Sequence, residues 1–362
     1  MTRPRLRDLG ISIGSFPPGP HNAITDVPGV AVGHTTLIHD APRIARTGVT
    51  VILPRATDVG RDHCFAGFHS FNGNGEMTGT HWLKESGLLV SPIALTSTHY
   101  VGIAHQALVE YSSQHGFANT WSLPVVAETY DGFLNDADAM HLKPAHVLQA
   151  IKSASAGAVA EGNVGGGTGM VCHEFKGGIG TSSRIVKTDN GPFTVGVLVQ
   201  ANYGLRRHLR VDGVPVGARI PHTDVPVPNW KASPITPTSS IIIVIATDAP
   251  LLPGQCDRLA QRATVGLSRV GGVGFNGSGD LFLAFSTANP VPNGETEILN
   301  ARWLPHAHMN PLFEGVAEAT EEAILNALCA AETMTGHKGR VAHALPTDRL
   351  ARVMEGQVWS GG

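Results

Sequence analysis

Between Gly204 and Ser239 the sequence holds six prolines, Pro215, Pro221, Pro226, Pro228, Pro234 and Pro237, and then runs directly into Ser240-Ile-Ile-Ile-Val-Ile-Ala-Thr-Asp-Ala-Pro250. Neither a helix nor a central strand tolerates that proline density. Residues 204–239 are therefore expected to form a long exposed loop or linker, a kind of segment that is usually functional or disordered. The stretch from Ser240 onward is apolar at successive positions, as in a strand covered on both faces. The bond between Ser239 and Ser240 is where the irregular segment meets the buried strand.

A serine at that junction can attack the carbonyl of the peptide bond before it. An N-to-O acyl shift and hydrolysis would cut the chain and leave Ser240 with a free α-amine. Such an amine has an ordinary pKa of about 7.7–8.0, so it can act as the base for its own hydroxyl. The plainer reading is that Ser239 and Ser240 simply open a strand with small polar residues. Ser278 and Asp280 stand two apart on a predicted strand, so their side chains share a face. A hydroxyl backed by a carboxylate can orient a nucleophile. The same residues also suit a polar turn, Asn276-Gly-Ser-Gly-Asp280.

Two further polar groups interrupt apolar context. Asn202 ends the strand Thr194–Ala201 and can offer its amide to an oxyanion, or merely close the strand in Asn-Tyr-Gly. Glu128 and Tyr130 follow the apolar Leu123-Pro-Val-Val-Ala127 and share a face. A carboxylate there can hold a substrate ammonium, although exposed polar residues at a strand end would look alike. The glycine-rich Glu161-Gly-Asn-Val-Gly-Gly-Gly-Thr-Gly169 has neither a Walker A ending nor the dinucleotide fingerprint. It fits close backbone packing or an anion-binding nest.

Composition removes other classes. The net charge is −3 and no Lys/Arg run occurs, so nucleic acid finds no electrostatic partner. The longest strongly apolar stretch, Ile241–Ala246, is far short of the roughly 20 residues that span a membrane. The basic N-terminus has no apolar segment behind it and is not read as a secretory signal. Cys64, Cys172, Cys256 and Cys329 are too dispersed for a metal-ligand pair and imply no disulfide. Among 18 histidines the closest pair is His306-Ala-His308, which reads as a surface loop, so no metal and no cofactor are expected. A soluble cytoplasmic enzyme fits best. Charged residues make up 15%, against about 25% in typical globular proteins, which points to a surface covered by other subunits.

The remaining chain alternates strands and helices less regularly than a dinucleotide-binding fold does. Strands are predicted after Asp26-Val-Pro-Gly, at Gly48–Pro54, at Phe193–Ala201 and at Gly277–Ser286. Helices are predicted at Val101–His115, at Pro144–Ser155 with Asp136 and Asp138 at its start, at Pro253–Val270, and at Pro311–Met334 closed by Gly336. This order of elements predicts an α+β layered sandwich.

Taken in order, Ile24-Thr-Asp-Val-Pro-Gly-Val-Ala-Val-Gly-His34, Val126-Ala-Glu-Thr-Tyr-Asp-Gly132, Gly162–Met170, Ser240–Pro250 and Gly277–Ser286 resemble the DmpA family. That family comprises the L-aminopeptidase/D-esterase-amidases and the related β-aminopeptidases. The resemblance implies an αββα four-layer sandwich and one self-processing domain over residues 1–362. It also implies autoproteolysis into an α-chain 1–239 and a β-chain 240–362, and a homo-oligomer, a tetramer of αβ pairs. By motif, Ser240 matches the nucleophile, Ser278 and Asp280 the assisting pair, and Asn202 the oxyanion amide. Tyr130 matches a tyrosine lining the site, and Glu128 a carboxylate that meets the substrate amine. The implied reaction removes N-terminal residues from short peptides, amides or esters.

One position departs from the family, which usually carries Gly or Asn before the nucleophile where this chain has Ser239. Serine reaches strained backbone angles less readily than glycine, so self-cleavage is expected to be slow or absent, and Ser239 becomes a minor alternative nucleophile. An acyltransferase of the ornithine-acetyltransferase type is the enzymatic alternative, although that class typically uses Thr. An unprocessed binding protein is the other.

Overall fold

The computed structural model describes residues 3–55, 59–115, 121–229, 239–294 and 296–355. In chain order its first strands are β1 (Ala31–His39), β2 (Ala45–Leu53), β3 (Asp62–Gly73), β4 (Leu88–Leu89), β5 (Ile93–Ser97) and β6 (Val125–Thr129). A short pair comes next, β7 (Val171–Cys172) and β8 (Phe175–Lys176), then β9 (Gly178–Thr188) and β10 (Gly191–Asn202). The last are β11 (Ser240–Thr247), β12 (Gly279–Pro292) and the pair β13 (Met334–Thr335) and β14 (Val341–Ala342). The helices are α1 (Thr80–Ser86), α2 (Val101–Gln114), α3 (Pro144–Lys152), α4 (Pro253–Val270), α5 (Asn310–Ala330) and α6 (Thr347–Glu355).

Two sheets carry this mixed α/β architecture. One has four strands in the order β1-β2-β5-β6, the other six in the order β4-β3-β12-β11-β10-β9. Strand β11 shows why they stack. Its Ile241, Ile243 and Ile245 enter a core shared with α4 and α5, while Ile242, Val244 and Ala246 enter a second core. That second core also takes Ile93 and Leu95 of β5 and Val125 and Ala127 of β6, so it joins the two sheets. The period of two sends alternate side chains to opposite faces. Both faces are covered, so each buried isoleucine contributes about 1.5–3 kcal/mol. A third core lies on the far side of the small sheet, where Ala104 and Leu108 of α2 and Val147 and Ile151 of α3 meet Val49 and Val51 of β2.

The glycine-rich segment is a close-packing device. Gly165–Gly167 form a buried 3-10 turn. A Cβ at Gly166 would lie 2.0 Å from Gln200 Oε1 and 2.5 Å from the Leu95 carbonyl, one on each sheet. The amides of Gly165 and Gly166 donate to Thr36 Oγ1 and Thr50 Oγ1, at 2.8 and 3.1 Å. With the Gly167 N–H donating to the Val164 carbonyl at 2.9 Å, none of the three amides of the turn is left for an anion.

Several expectations need correction. Residues 204–229 hold no α-helix and no strand, only the short 3-10 turns Arg206–His208 and Val216–Arg219, and they are exposed only in part: Leu209, Val211, Val214, Val216 and Ile220 are buried in the large core. These five side chains carry enough apolar area to hold the segment down. Pro234, Pro237 and the rest of 230–238 lie outside the described residues. Asp136 does not open α3. It pairs with Arg43 at 2.6 Å, while the helix starts at Pro144 as expected. Helix α5 ends at Ala330, because Ala331 turns extended; Gly336 does not cap it but precedes a separate turn. Strand β12 starts two residues late and runs on to Pro292, and α6 has no counterpart in the sequence reading. No helix among the described residues is long and apolar enough to cross a membrane.

Candidate active site

The strand register brings the candidate residues together. Ser240, the first residue of β11, lies opposite Asn202 on β10 and Gly279 on β12. Gly279 is flanked by Ser278 and Asp280, so the serine–carboxylate pair arrives beside Ser240 through a parallel strand alignment. The Ser278 hydroxyl donates to Asp280 Oδ1 at 2.5 Å. Burial pushes the Asp280 carboxyl up to about 6, while the Ser278 hydroxyl and the Ile241 amide pull it back. It therefore ionises near neutrality and can draw on the Ser278 proton.

The Gly279 N–H occupies the decisive position. It donates to the Ser239 carbonyl at 3.1 Å and to Ser240 Oγ at 3.2 Å. One donor thus serves both the carbonyl before Ser240 and the hydroxyl that can attack it. Only glycine fits here, because a Cβ would lie 2.6 Å from the Asn74 carbonyl. Asn202 is 5% exposed, and its orientation is set twice. Its Oδ1 accepts the Val171 N–H at 2.8 Å, and its Nδ2 donates to the Tyr130 carbonyl at 3.1 Å. That fixes the NH2 end, whose second hydrogen remains for a ligand.

A pocket of about 380 Å³ opens onto Ser240 and is lined also by Glu76, Thr98, His99, Glu128 and Tyr130. Glu128 comes from the end of β6 and Tyr130 from the residue just past it. The Glu128 carboxylate accepts the Glu76 N–H at 3.0 Å and the Thr98 hydroxyl. Burial raises its pKa, and those two donors oppose the rise. The Tyr130 ring lies against His99, with centroids 5.5 Å apart. Beneath it Asp131 is fully buried, held by Ser97 Oγ at 2.8 Å and Asn135 Nδ2 at 3.1 Å. Glu76, Thr98 and His99 were not singled out in the sequence. The run Asn72-Gly-Asn-Gly-Glu76 behind a strand was the available signal.

Known proteins resemble this chain along most of its length. The sequence pattern of peptidase family S58 matches residues 22–342. The β-peptidyl aminopeptidase BapA of Sphingosinicella microcystinivorans is 45% identical over 366 residues, 97% of this chain and 92% of that protein. A solved β-aminopeptidase of a Burkholderia species is 49% identical with a TM-score of 0.91, covering 99% of this chain and 100% of its own. The L-aminopeptidase D-Ala-esterase/amidase of Ochrobactrum anthropi is 42% identical, also at 0.91, over 98% and 99%. It is described as a prototype for the serine aminopeptidases and a new variant among the Ntn hydrolase fold. The chain belongs to peptidase family S58 and is a hydrolase of the aminopeptidase/amidase type.

Proposed function

We propose that Ser240 is the nucleophile of an aminopeptidase that first cuts its own chain between Ser239 and Ser240. The observation that carries this reading is the Gly279 N–H shared between the Ser239 carbonyl and Ser240 Oγ. In self-cleavage, Ser240 Oγ bonds to the Ser239 carbonyl carbon, and its proton passes to the nitrogen that leaves. The Gly279 N–H meets the charge that develops on the carbonyl oxygen. Water then hydrolyses the ester, freeing the Ser239 carboxylate and the Ser240 hydroxyl and α-amine. The products are 1–239 and 240–362, held within one self-processing domain.

In turnover the Ser240 amine takes the hydroxyl proton as Oγ attacks the substrate carbonyl. Asn202 Nδ2 and the Gly279 N–H receive the oxyanion. The ionised Asp280 holds Ser278 as an acceptor beside the nucleophile, so the pair assists proton movement. Glu128 holds the free amine of the substrate, and Tyr130 walls the acyl group. The leaving amine takes the proton, and water releases the acyl group from Ser240. Substrates are short peptides, amides or esters with a free amino terminus. The relatives' β-aminopeptidase activity supports including β-amino acyl groups among them.

We read the architecture as an αββα four-layer sandwich, supported by a core between the sheets and helices on their outer faces. A homo-oligomer, a tetramer of αβ pairs, is supported by exposed apolar side chains such as Trp82, Trp121, Ile298 and Trp303. A cytoplasmic location is supported by four buried free cysteines.

The test is denaturing mass spectrometry of the purified protein beside Ser240→Ala and Ser239→Ala. The expected result is two fragments, 1–239 and 240–362, in the natural chain and in Ser239→Ala, with Ser240→Ala intact. An uncut natural chain removes the free-amine mechanism. A cut that survives Ser240→Ala removes Ser240 as the processing nucleophile.

A further inference from the structure

The pocket carries more negative charge than binding one amine requires. Glu128 suffices for the amino terminus of a substrate. Glu76 lines the same pocket, and its carboxylate has no hydrogen-bond or ion-pair partner among the described residues. None of the residues lining the pocket is a lysine or arginine. The Glu76 backbone N–H is bonded to Glu128 Oε1 at 3.0 Å. Glu76 therefore stands beside the carboxylate proposed to hold the substrate amine. The two carboxylates feel each other, for Glu76 is among the charges that raise the Glu128 pKa after burial. A second cation placed between them relieves that repulsion.

We propose that Glu76 sets acyl specificity by pairing with a positively charged side chain on the N-terminal residue of the substrate. The class favoured is a basic amino acyl group, lysyl, ornithyl or a β-homologue, over a neutral acyl group of the same length. This rests on the aminopeptidase reading and names the substrate class for it. Glu76 is exposed, so it keeps its hydration until the substrate arrives and loses little on pairing. The preference expected from such a pair is about five-fold. It falls on KM, because the side-chain cation is bound alike in the ground and transition states.

The experiment measures kcat/KM for lysyl and Nε-acetyl-lysyl p-nitroanilides, and for the β-homolysyl pair, with the natural enzyme, Glu76→Gln and Glu76→Lys. The readout is the ratio of charged to acetylated substrate within each enzyme. The natural enzyme is expected to favour the charged substrate about five-fold, Glu76→Gln to bring the ratio near one, and Glu76→Lys to invert it, all through KM. A ratio that is the same in the natural enzyme and in Glu76→Gln overturns the assignment. So does equal weakening of both substrates, which would make Glu76 a partner of the common amine instead. An enzyme that turns over none of the four substrates overturns the aminopeptidase reading itself, a result distinct from turnover without preference.

Discussion

Asp280 is a carboxylate that its surroundings push to keep a proton, while its neighbour needs it ionised. Burial raises it from 3.8 to about 6, and the Ser278 hydroxyl at 2.5 Å opposes the rise. The folded chain therefore binds this proton more tightly than the unfolded chain. Its contribution favours folding below pH 4 and is lost as the pH climbs through about 6, a cost of about 2–3 kcal/mol at neutral pH. Activity runs the other way. With the Ser240 amine as base, kcat/KM falls with decreasing pH below about 8 and should steepen below about 6, where Asp280 protonates. Asp280→Asn is expected to lower kcat by about 100-fold or more. In a Ser240→Ala background, where both chains are intact, Asp280→Asn should also melt higher at pH 7.5 and show no gain at pH 4.5. A melting point lowered equally at both pH values would mean that Asp280 stabilises the fold as an anion. Ser278 with Asp280, and Glu128 with Tyr130, could be paired from the sequence because residues two apart on an extended chain share a face. Ser240 stood out only as the junction of a proline-rich segment with an apolar strand, and its place beside Gly279 comes from pairing between distant strands. The Gly279 N–H was not legible, since it is a backbone donor aligned by pairing with a distant strand. Glu76 was missed because a Gly-Asn-Gly turn has no periodicity to place its side chains.

Among the elements, those with both ends written in local chemistry were the ones read accurately. Helix α4 opens on Pro253 at its first turn and closes on Gly271 at φ 106°, so its limits come from the two residue types that mark helix ends. The end of α5 could not be read this way. Its apolar pattern continues past Ala330, but Ala331 turns extended and is buried, a tertiary decision. The same helix buries Glu318 and Glu322 against Arg184 of β9 at 3.1 and 2.7 Å, so its acidic residues face inward where a local pattern reads them as solvent-facing. The 204–229 segment shows the converse: prolines leave it without α-helix or strand, with only two short 3-10 turns, yet they say nothing about burial. The Gly165–Gly167 turn gives a direct test of close packing between elements. At Gly166 a methyl group would meet Gln200 Oε1 on β10 and the Leu95 carbonyl on β5. Gln200 has little room to yield, because its Nε2 already donates to the Thr96 carbonyl at 2.8 Å and Thr129 Oγ1 at 2.9 Å. Gly166→Ala should therefore cost about 1–3 kcal/mol, read as a lower denaturation midpoint at unchanged denaturant slope. An unchanged midpoint would show that the turn can shift between the sheets without loss.

At the scale of the whole molecule, the position of the proposed cut decides how the two products behave. The large sheet runs β4-β3-β12-β11-β10-β9. Its two central strands come from after Ser239, and the strands on either side come from before it. Strand β11 pairs with β10 from Thr247–Val195 to Ser240–Asn202, and β12 pairs with β3 across Gly279–Gly73 and beyond. Helix α5, also from the later segment, covers β9 and β10. Breaking one bond at the tip of β11 removes none of these ladders and leaves both products sharing the cores around the large sheet. Separating them would expose the isoleucines of β11 on both faces along with unpaired strand edges, a cost of the same order as unfolding. The processed protein should therefore elute as one species in native size-exclusion chromatography, and both fragments should appear in equal amounts when that peak is denatured for mass spectrometry. Light scattering on the same peak should give a mass near four times 38.0 kDa if the tetramer of αβ pairs forms. Fragments that part in native buffer would contradict this interleaving. Fragments that stay together at a mass near 38.0 kDa would leave the sheet argument standing and remove the tetramer. The exposed Trp82, Trp121 and Trp303 would then have to be explained by something other than a copy of the chain.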